Sequence, residues 1–398
     1  MRYKLRTPHI SEEGRIFSWA SLMYGFGISV LLPIFPTFIE SIINSEAYVG
    51  YFYSAMSISM IIAGLVSSVF FRKFSRVKIL YFVLVVAALA TMYFVFVNQF
   101  YQLFPLQFVR VFAVLFISMS LALMVHDFTS AKALGKTEGV YFLFTNIGWF
   151  LGPFVGGVIA RYAGFEPVFV LSGVLLLCSL IYIIHQHLIK KHPSLALPHA
   201  KPKKDGDENK FKKYLSNKNR IGAYLVSMVL ISWVSFKAVV IPLFVLKMGY
   251  GSDTAGLILS LSILPYMLFE VPVGEWADKN GFKKPIITGF FILAFFAMAV
   301  AVSPIFYLDA LFIILGNVGS AMIEPLHDVY FFKNVKNSEE DDMYGIFVTA
   351  DPLAKFVAPA IISTSLIFLP FQYVFVVFGC LFLVAGFGSF LIKDQKHG

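Results

Sequence analysis

Apolar residues in this chain fall in runs of about twenty, separated by short polar stretches. At 1.5 Å per residue such a run covers the roughly 30 Å hydrocarbon core of a bilayer. The pattern predicts membrane-spanning helices at 15–38, 49–71, 77–97, 101–125, 140–160 and 167–187. It predicts six more at 221–246, 255–276, 285–302, 306–326, 345–368 and 371–392. Pro33, Pro242, Pro265 and Pro352 fall inside these runs; membrane helices accept proline because neighbours re-satisfy the freed backbone groups. Between the halves lies a charged, proline-containing stretch, expected to be a flexible linker with a short interfacial helix near 211–215. The expected organisation is an N-terminal six-helix bundle (1–189), a cytoplasmic linker (190–220) and a C-terminal six-helix bundle (221–398). The fold class is therefore all-α membrane protein, with twelve spans in two pseudo-symmetric bundles.

Composition agrees. Of the 398 residues 58% are hydrophobic and only 14% charged, where a soluble chain carries about a quarter charged residues. The residues before the first run are polar and basic, and that run is too long for a signal sequence, so no cleavable signal is expected. The net charge of +9 reflects topology: with the N-terminus inside, the cytoplasmic segments hold 27 of the 32 Lys and Arg residues. Both termini are expected in the cytoplasm, the protein in the plasma membrane, and no nucleic-acid partner is needed to explain the charge. Cys178 and Cys380 sit in apolar segments and read as small packing residues, not as a disulfide or metal pair.

The halves echo one another. The fourth span ends in Met124-Val-His-Asp-Phe128 and the tenth in Pro325-Leu-His-Asp-Val329; the fifth and eleventh carry Gly152-Pro153 and Ala358-Pro359. Internal duplication of this kind marks secondary transporters, whose binding site lies between the repeats near the midplane. The His-Asp pairs have some metal-ligand character, but at helix ends they read as duplicated structural contacts. No Walker-type glycine loop appears, so neither ATP hydrolysis nor any metal or cofactor is expected.

Three stretches resemble the major facilitator superfamily, and the resemblance covers essentially the whole chain. Between the eighth and ninth spans, Gly274-Glu-Trp-Ala-Asp278-Lys279-Asn-Gly281-Phe-Lys283-Lys284 is similar to the family's loop signature at every defining position. In the fourth span Arg110 stands where the family often has a membrane arginine, although Val114 replaces the glycine expected four residues later. In the fifth, Gly148-Trp-Phe-Leu-Gly152-Pro153-Phe-Val-Gly156-Gly157 looks like the stretch associated with exporters, chiefly drug/proton antiporters. Physically, Gly281 permits a tight turn, the basic residues anchor at headgroups, and Asp278 suits a helix N-terminus, by family analogy that of the fifth span. Gly148, Gly152 and Gly156 share one helix face, which allows close helix contact, and Pro153 adds a kink. The first-half loop departs from the signature: Arg72-Lys73-Phe74-Ser75-Arg76-Val77-Lys78 lacks the carboxylate. By pseudo-symmetry it should face Ser338-Glu339-Glu340-Asp341-Asp342, forming either an inner latch with inverted charges or two solvated charge runs.

Ionisable residues inside spans mark pathways or partners. In this family spans 1, 4, 7 and 10 surround the cavity and 2, 5, 8 and 11 flank it, so the resemblance implies Tyr24, Arg110, Asn146, Lys237, Asn317 and Lys355 as lining residues. Three cations among them suggest an anionic or zwitterionic solute, unless Asp351 neutralises Lys355 one turn away and Arg110 fixes helix packing. All mid-span acids come from the second half. Glu270 and Glu324, without an evident local cation, are better proton carriers than Asp351. The leading expectation is a non-enzymatic, monomeric secondary transporter that exports an amphipathic or anionic small molecule in exchange for protons. A proton- or sodium-driven importer of metabolites is the alternative, and a lipid scramblase or membrane-embedded enzyme the alternative from another class.

Overall fold

A computed structural model of the chain describes residues 12–128, 134–186, 210–335 and 339–392. Among these, all regular structure is helical. The first half runs α1 (Glu12–Ser29), α2 (Phe35–Ile43), α3 (Glu46–Lys73), α4 (Arg76–Tyr93), α5 (Phe100–Phe128), α6 (Leu134–Ala163) and α7 (Glu166–His185). A short α8 (Lys210–Leu215) leads into α9 (Lys218–Lys247), α10 (Ser252–Leu261), α11 (Leu264–Asn280) and α12 (Lys283–Val302). Then come α13 (Phe306–Lys333), α14 (Glu340–Phe347), α15 (Ala350–Phe368) and α16 (Tyr373–Gly388).

Eleven segments of described residues are long and apolar enough to cross a membrane. The first expected span differs: α1 stops at Ser29, a turn covers residues 30–34, and α2 restarts at Phe35. Pro33 and Pro36 explain the break, since each lacks an N–H and its ring clashes with the carbonyl one turn earlier. The eighth and eleventh spans, expected as continuous, are likewise split, into α10–α11 just before Pro265 and α14–α15 just before Pro352. Pro242, by contrast, is carried inside an unbroken α9, buried among its neighbours. Cys178 and Cys380 face outward instead of packing inside.

Contacts between the halves gather at one end of the molecule, here termed the far end, opposite the linker. There the N–H of Tyr51 donates to Ser363 Oγ (2.8 Å), Ser54 Oγ to the Phe356 carbonyl (2.7 Å) and Ser57 Oγ to the Lys355 carbonyl (2.6 Å), tying α3 to α15. Beside Pro153, the N–H of Phe154 donates to Ser260 Oγ (3.0 Å), and Ser252 Oγ donates to the Gly157 carbonyl (2.9 Å), tying α6 to α10. Lys247 and Glu46 pair across the same end at 2.8 Å. The buried apolar core follows this arrangement. One cluster runs from Phe35, Phe38 and Phe94 of the first half into Phe236, Phe375 and Phe378 of the second. A separate cluster around Phe17, Leu84 and Phe116 serves the first half's linker end. At that end a side chain added at Gly64, Gly274 or Gly345 would meet no atom within 4 Å.

The helix expected near residues 211–215 is present as α8 and is anchored. Tyr214 is buried, lies parallel to Phe331 with ring centroids 6.5 Å apart, and donates to the Arg220 carbonyl at 3.1 Å. Glu339 accepts from Lys213 and Arg220, each at 3.1 Å. The Lys213 hydrogen bond, with Arg220 beside it, holds the Glu339 carboxyl below its usual range. Glu339 thus serves the linker helix here. Of the rest of that acidic run, Ser338 and the side chains of Glu340, Asp341 and Asp342 lie outside the described residues. The side chains of His126, Asp127 and Glu138 do so too.

Candidate functional site

A cavity of about 250 Å³ lies between the halves. The first half contributes Leu32 from the turn after α1 and Thr145, Asn146, Trp149 and Pro153 from α6; the second contributes Lys237, Tyr266, Glu270 and Glu324. Its position follows from helix breaks and small residues. Gly148 lets α6 close on α1, since a Cβ there would meet the Leu22 carbonyl oxygen and the Phe26 nitrogen at 2.7 Å. Gly152 and Gly156 face Ser29 and Val30 in the same way, so the shared glycine face packs against α1. Gly157 instead meets the Ser252 backbone of the other half. The break between α10 and α11 brings Ser262, Ile263 and Tyr266 into the cavity wall.

Lys237 is 7% exposed, and its ammonium donates to Asn317 Oδ1 and, at 3.2 Å, to Tyr266 OH. It stands 5.0 Å from the centre of the Tyr266 ring and 5.9 Å from that of Trp233. Asn317 is fully buried, accepts from Trp233 Nε1 at 3.1 Å and donates to the Ile313 carbonyl at 2.7 Å. Tyr266 OH shares a 2.6 Å hydrogen bond with Ser320. This network fixes the lysine with two of its three N–H donors occupied. Glu324 lies close enough to Lys237, His327, Asp328, Asp351 and Glu270 to interact electrostatically with each.

Of the residues singled out in the sequence, Asn146, Lys237, Glu270 and Glu324 therefore share one cavity, with Asn317 directly behind Lys237. Tyr24 and Arg110 do not line it. Tyr24 donates to the Val114 carbonyl at 3.3 Å. Arg110, 7% exposed, donates to Thr91 Oγ1 (3.2 Å) and Gln107 Oε1 (3.3 Å) and sits 5.5 Å from the Phe35 ring centre. No carboxylate lies within ion-pair distance of it among the described residues. Lys355 pairs with Asp351 at 2.9 Å, one turn away on α15, and is also outside the cavity lining. The His-Asp pair of α13 has a structural explanation: His327 Nδ1 lies 2.7 Å from the Glu324 carbonyl and Nε2 3.5 Å from Asp328. Trp149, Thr145, Ser262 and Tyr266 line the cavity without having been singled out. Trp149 is the residue after Gly148 in the exporter-like stretch, and Tyr266 follows Pro265, so both carried a local signal.

In the loop after α11, Gly281 adopts φ +86° and ψ 164°, a conformation that only glycine enters freely, and its N–H closes the helix on the Ala277 carbonyl at 2.8 Å. Asp278 and Lys279 end α11, and Lys283 and Lys284 open α12; Lys283 lies 5.9 Å from the centre of the Phe390 ring.

The family model described as Major Facilitator Superfamily matches residues 17–253 and 225–398. Multidrug resistance protein 2 of Bacillus subtilis (strain 168) is 24% identical over 401 residues, covering 97% of each chain. The multi-drug resistance efflux pump PmrA of Streptococcus pneumoniae is 24% identical over 300 residues, covering 73% of this chain and 74% of its own. Among solved structures, a POT family transporter in complex with 5-aminolevulinic acid aligns with TM-score 0.79 at 10% identity, over 94% of each chain. The nucleoside transporter NupG aligns with TM-score 0.76 at 14% identity, over 96% of this chain and all of that one. At these identities the solved structures speak for the fold.

Proposed function

The chain belongs to the major facilitator superfamily, a family of membrane transporters, and from that premise we propose that it exports an amphipathic small molecule in exchange for protons. The observation that carries the proposal is the cavity between the halves, where two carboxylates, Glu270 and Glu324, stand in a largely apolar wall with Lys237. A carboxyl group in such a place gains and loses a proton as the cavity alternates between water and apolar contact. The direction is supported by the relatives, one of which is described as an efflux pump, and by the exporter-like glycine face of α6.

In this reading the protein is a monomer in the plasma membrane with the linker and both termini in the cytoplasm, as the lysine and arginine distribution favours. The far end is then the outer face, and the conformation described is inward-facing, with the α3–α15 and α6–α10 contacts closing the outside. Glu270 and Glu324 carry protons; Asp351, held by Lys355, does not. Thr145, Asn146, Trp149 and Tyr266 contact the solute. The test is reconstitution in vesicles with an acidic interior and, in parallel sets, external ethidium, a cationic dye, or external rhodamine B, a zwitterionic one. Antiport accumulates the dye inside, and a protonophore abolishes the accumulation. Accumulation driven instead by an alkaline interior would mean symport and overturn the proposed exchange.

A further inference from the structure

We propose that the cavity is built for a zwitterion, an amphipathic molecule carrying one anionic and one cationic group on an apolar body. This rests on the reading of the cavity as the transport site. Three intramembrane cations raise the expectation of an anionic or zwitterionic solute, and of the three only Lys237 reaches the cavity. Arg110 is turned into its own half by Thr91 and Gln107, and Lys355 is bound to Asp351. What remains is one ammonium and two carboxylates around the same space.

The unused hydrogen-bonding capacity of that space has a definite shape. Lys237 donates to Asn317 and Tyr266, which leaves its third N–H for a ligand. The carboxylates of Glu270 and Glu324 have no hydrogen-bond partner among the described residues, so they accept from a cation. The Asn146 amide, half-buried in the opposite wall, is likewise without a side-chain partner among them and can serve either end of the ligand. Trp149 and Tyr266 supply flat apolar faces for the body.

Charge decides between ligand classes. A simple anion would meet Lys237 but also two carboxylates, and a simple cation would meet the carboxylates but also a lysine that its own network holds in place. A zwitterion satisfies both sets at once.

The experiment compares three probes with similar phenyl-bearing bodies on the purified full chain: 4-phenylbutylamine, 4-phenylbutyrate and the amino acid 4-amino-3-phenylbutyrate. Binding is measured by calorimetry without any ion gradient. The zwitterion should bind about tenfold more tightly than either single-charge probe, the effect of one charge-assisted hydrogen bond. Lys237→Gln should erase its advantage over the amine, and the double variant Glu270→Gln/Glu324→Gln its advantage over the carboxylate. Each variant is first matched to the parent in melting temperature. Should Lys237→Gln not fold, Asn146→Leu and the wild-type order of affinities remain as readouts. An amine that equals or exceeds the zwitterion overturns the inference, as does failure of the zwitterion to bind at millimolar concentration. Because no gradient is involved, either result leaves the proton-coupled export reading to its own vesicle assay, and failure of that assay leaves the binding order standing.

Discussion

Gly256→Ala adds one methyl group at the seam between α10 and α6, and it should unseat the far-end closure without disturbing either half. The new Cβ would lie 2.9 Å from the Pro153 carbonyl carbon and 3.2 Å from Gly157 Cα, and it would press on the Pro153 oxygen as well. All of these are backbone atoms, so no side chain can rotate away. Carbon pairs rest at about 3.5–4.0 Å, so α10 must withdraw from α6 by roughly half an ångström to an ångström. That movement stretches the Phe154–Ser260 and Ser252–Gly157 hydrogen bonds, now 3.0 and 2.9 Å. Each contributes about 0.5–1.5 kcal/mol, so closure loses about 1–3 kcal/mol and its population ratio shifts by about 5- to 150-fold. The gain in helix propensity from Ala acts equally on both conformations and cancels. Spin labels at Glu46→Cys and Lys247→Cys, in a background with Cys178 and Cys380 replaced by Ser, report the state, because these residues, on α3 and α9, touch across the same far end at 2.8 Å. Losing that exposed ion pair costs little. The short-distance population should fall in Gly256→Ala and stay unchanged in Gly274→Ala, whose Cβ meets nothing within 4 Å. An unchanged distance distribution in Gly256→Ala would refute the seam as the outer closure.

Three further outcomes follow from the same structure. The double variant Glu270→Gln/Glu324→Gln should make transport in vesicles independent of the pH gradient while leaving folding intact; retained proton-driven transport would remove both residues from coupling. Arg110→Ala should lower the melting temperature by the equivalent of about 2 kcal/mol, because it removes the guanidinium that donates to Thr91 and Gln107, yet leave equilibrium ligand binding within about twofold. A large loss of affinity with normal melting would instead make it a substrate contact. The Glu339 carboxyl is held below its usual range, so the anchoring it gives α8 is fully present above the ordinary carboxylate range and lost only as pH falls through its lowered value. Hydrogen exchange across Lys210–Leu215 should therefore stay slow through mildly acidic pH and rise only at lower pH, whereas Glu339→Gln should raise it at neutral pH; equal protection in both proteins would refute the anchor.

Span positions were legible because a twenty-residue apolar run has few other uses. Depth along a span was legible too: Lys237, Glu270 and Glu324 were recognisable as intramembrane charges from position in the run. Rotation about the helix axis was not. Arg110 and Lys237 look equivalent as isolated cations in long apolar helices, but one is turned toward Thr91 and Phe35 and the other toward Asn317, Tyr266 and the cavity between the halves. Nothing in an apolar run with little amphipathic contrast tells these faces apart, because lipid and protein interior are equally apolar. The Lys355–Asp351 pair was legible for the opposite reason, since an i,i+4 relation needs no knowledge of the neighbours. Tyr266 enters the wall through the break between α10 and α11; Pro265 beside it is a local sign of that break, but the run of residues 255–276 reads as continuous and gives no rotation for the tyrosine.

The division of chemistry between the walls bears on how selectivity is set. Every charged lining residue, Lys237, Glu270 and Glu324, comes from the second half, whereas the first half offers Leu32, Thr145, Asn146, Trp149 and Pro153. On the proposed reading a ligand's charges are met mainly by the second half, with Asn146 as a neutral polar contact, and its body lies between Trp149 of the first half and Tyr266 of the second. If the halves rock about the site, the charged contacts travel with the second half and the neutral wall closes or withdraws. Changes in the α6 wall should then alter which bodies fit with little effect on charge preference, and changes at Lys237 or the two glutamates should do the reverse. Trp149→Leu is the sharpest case: it should shift affinity among probes of different ring size while keeping the order of amine, carboxylate and amino acid. A reversal of that order in Trp149→Leu would mean that charge recognition is shared between the walls.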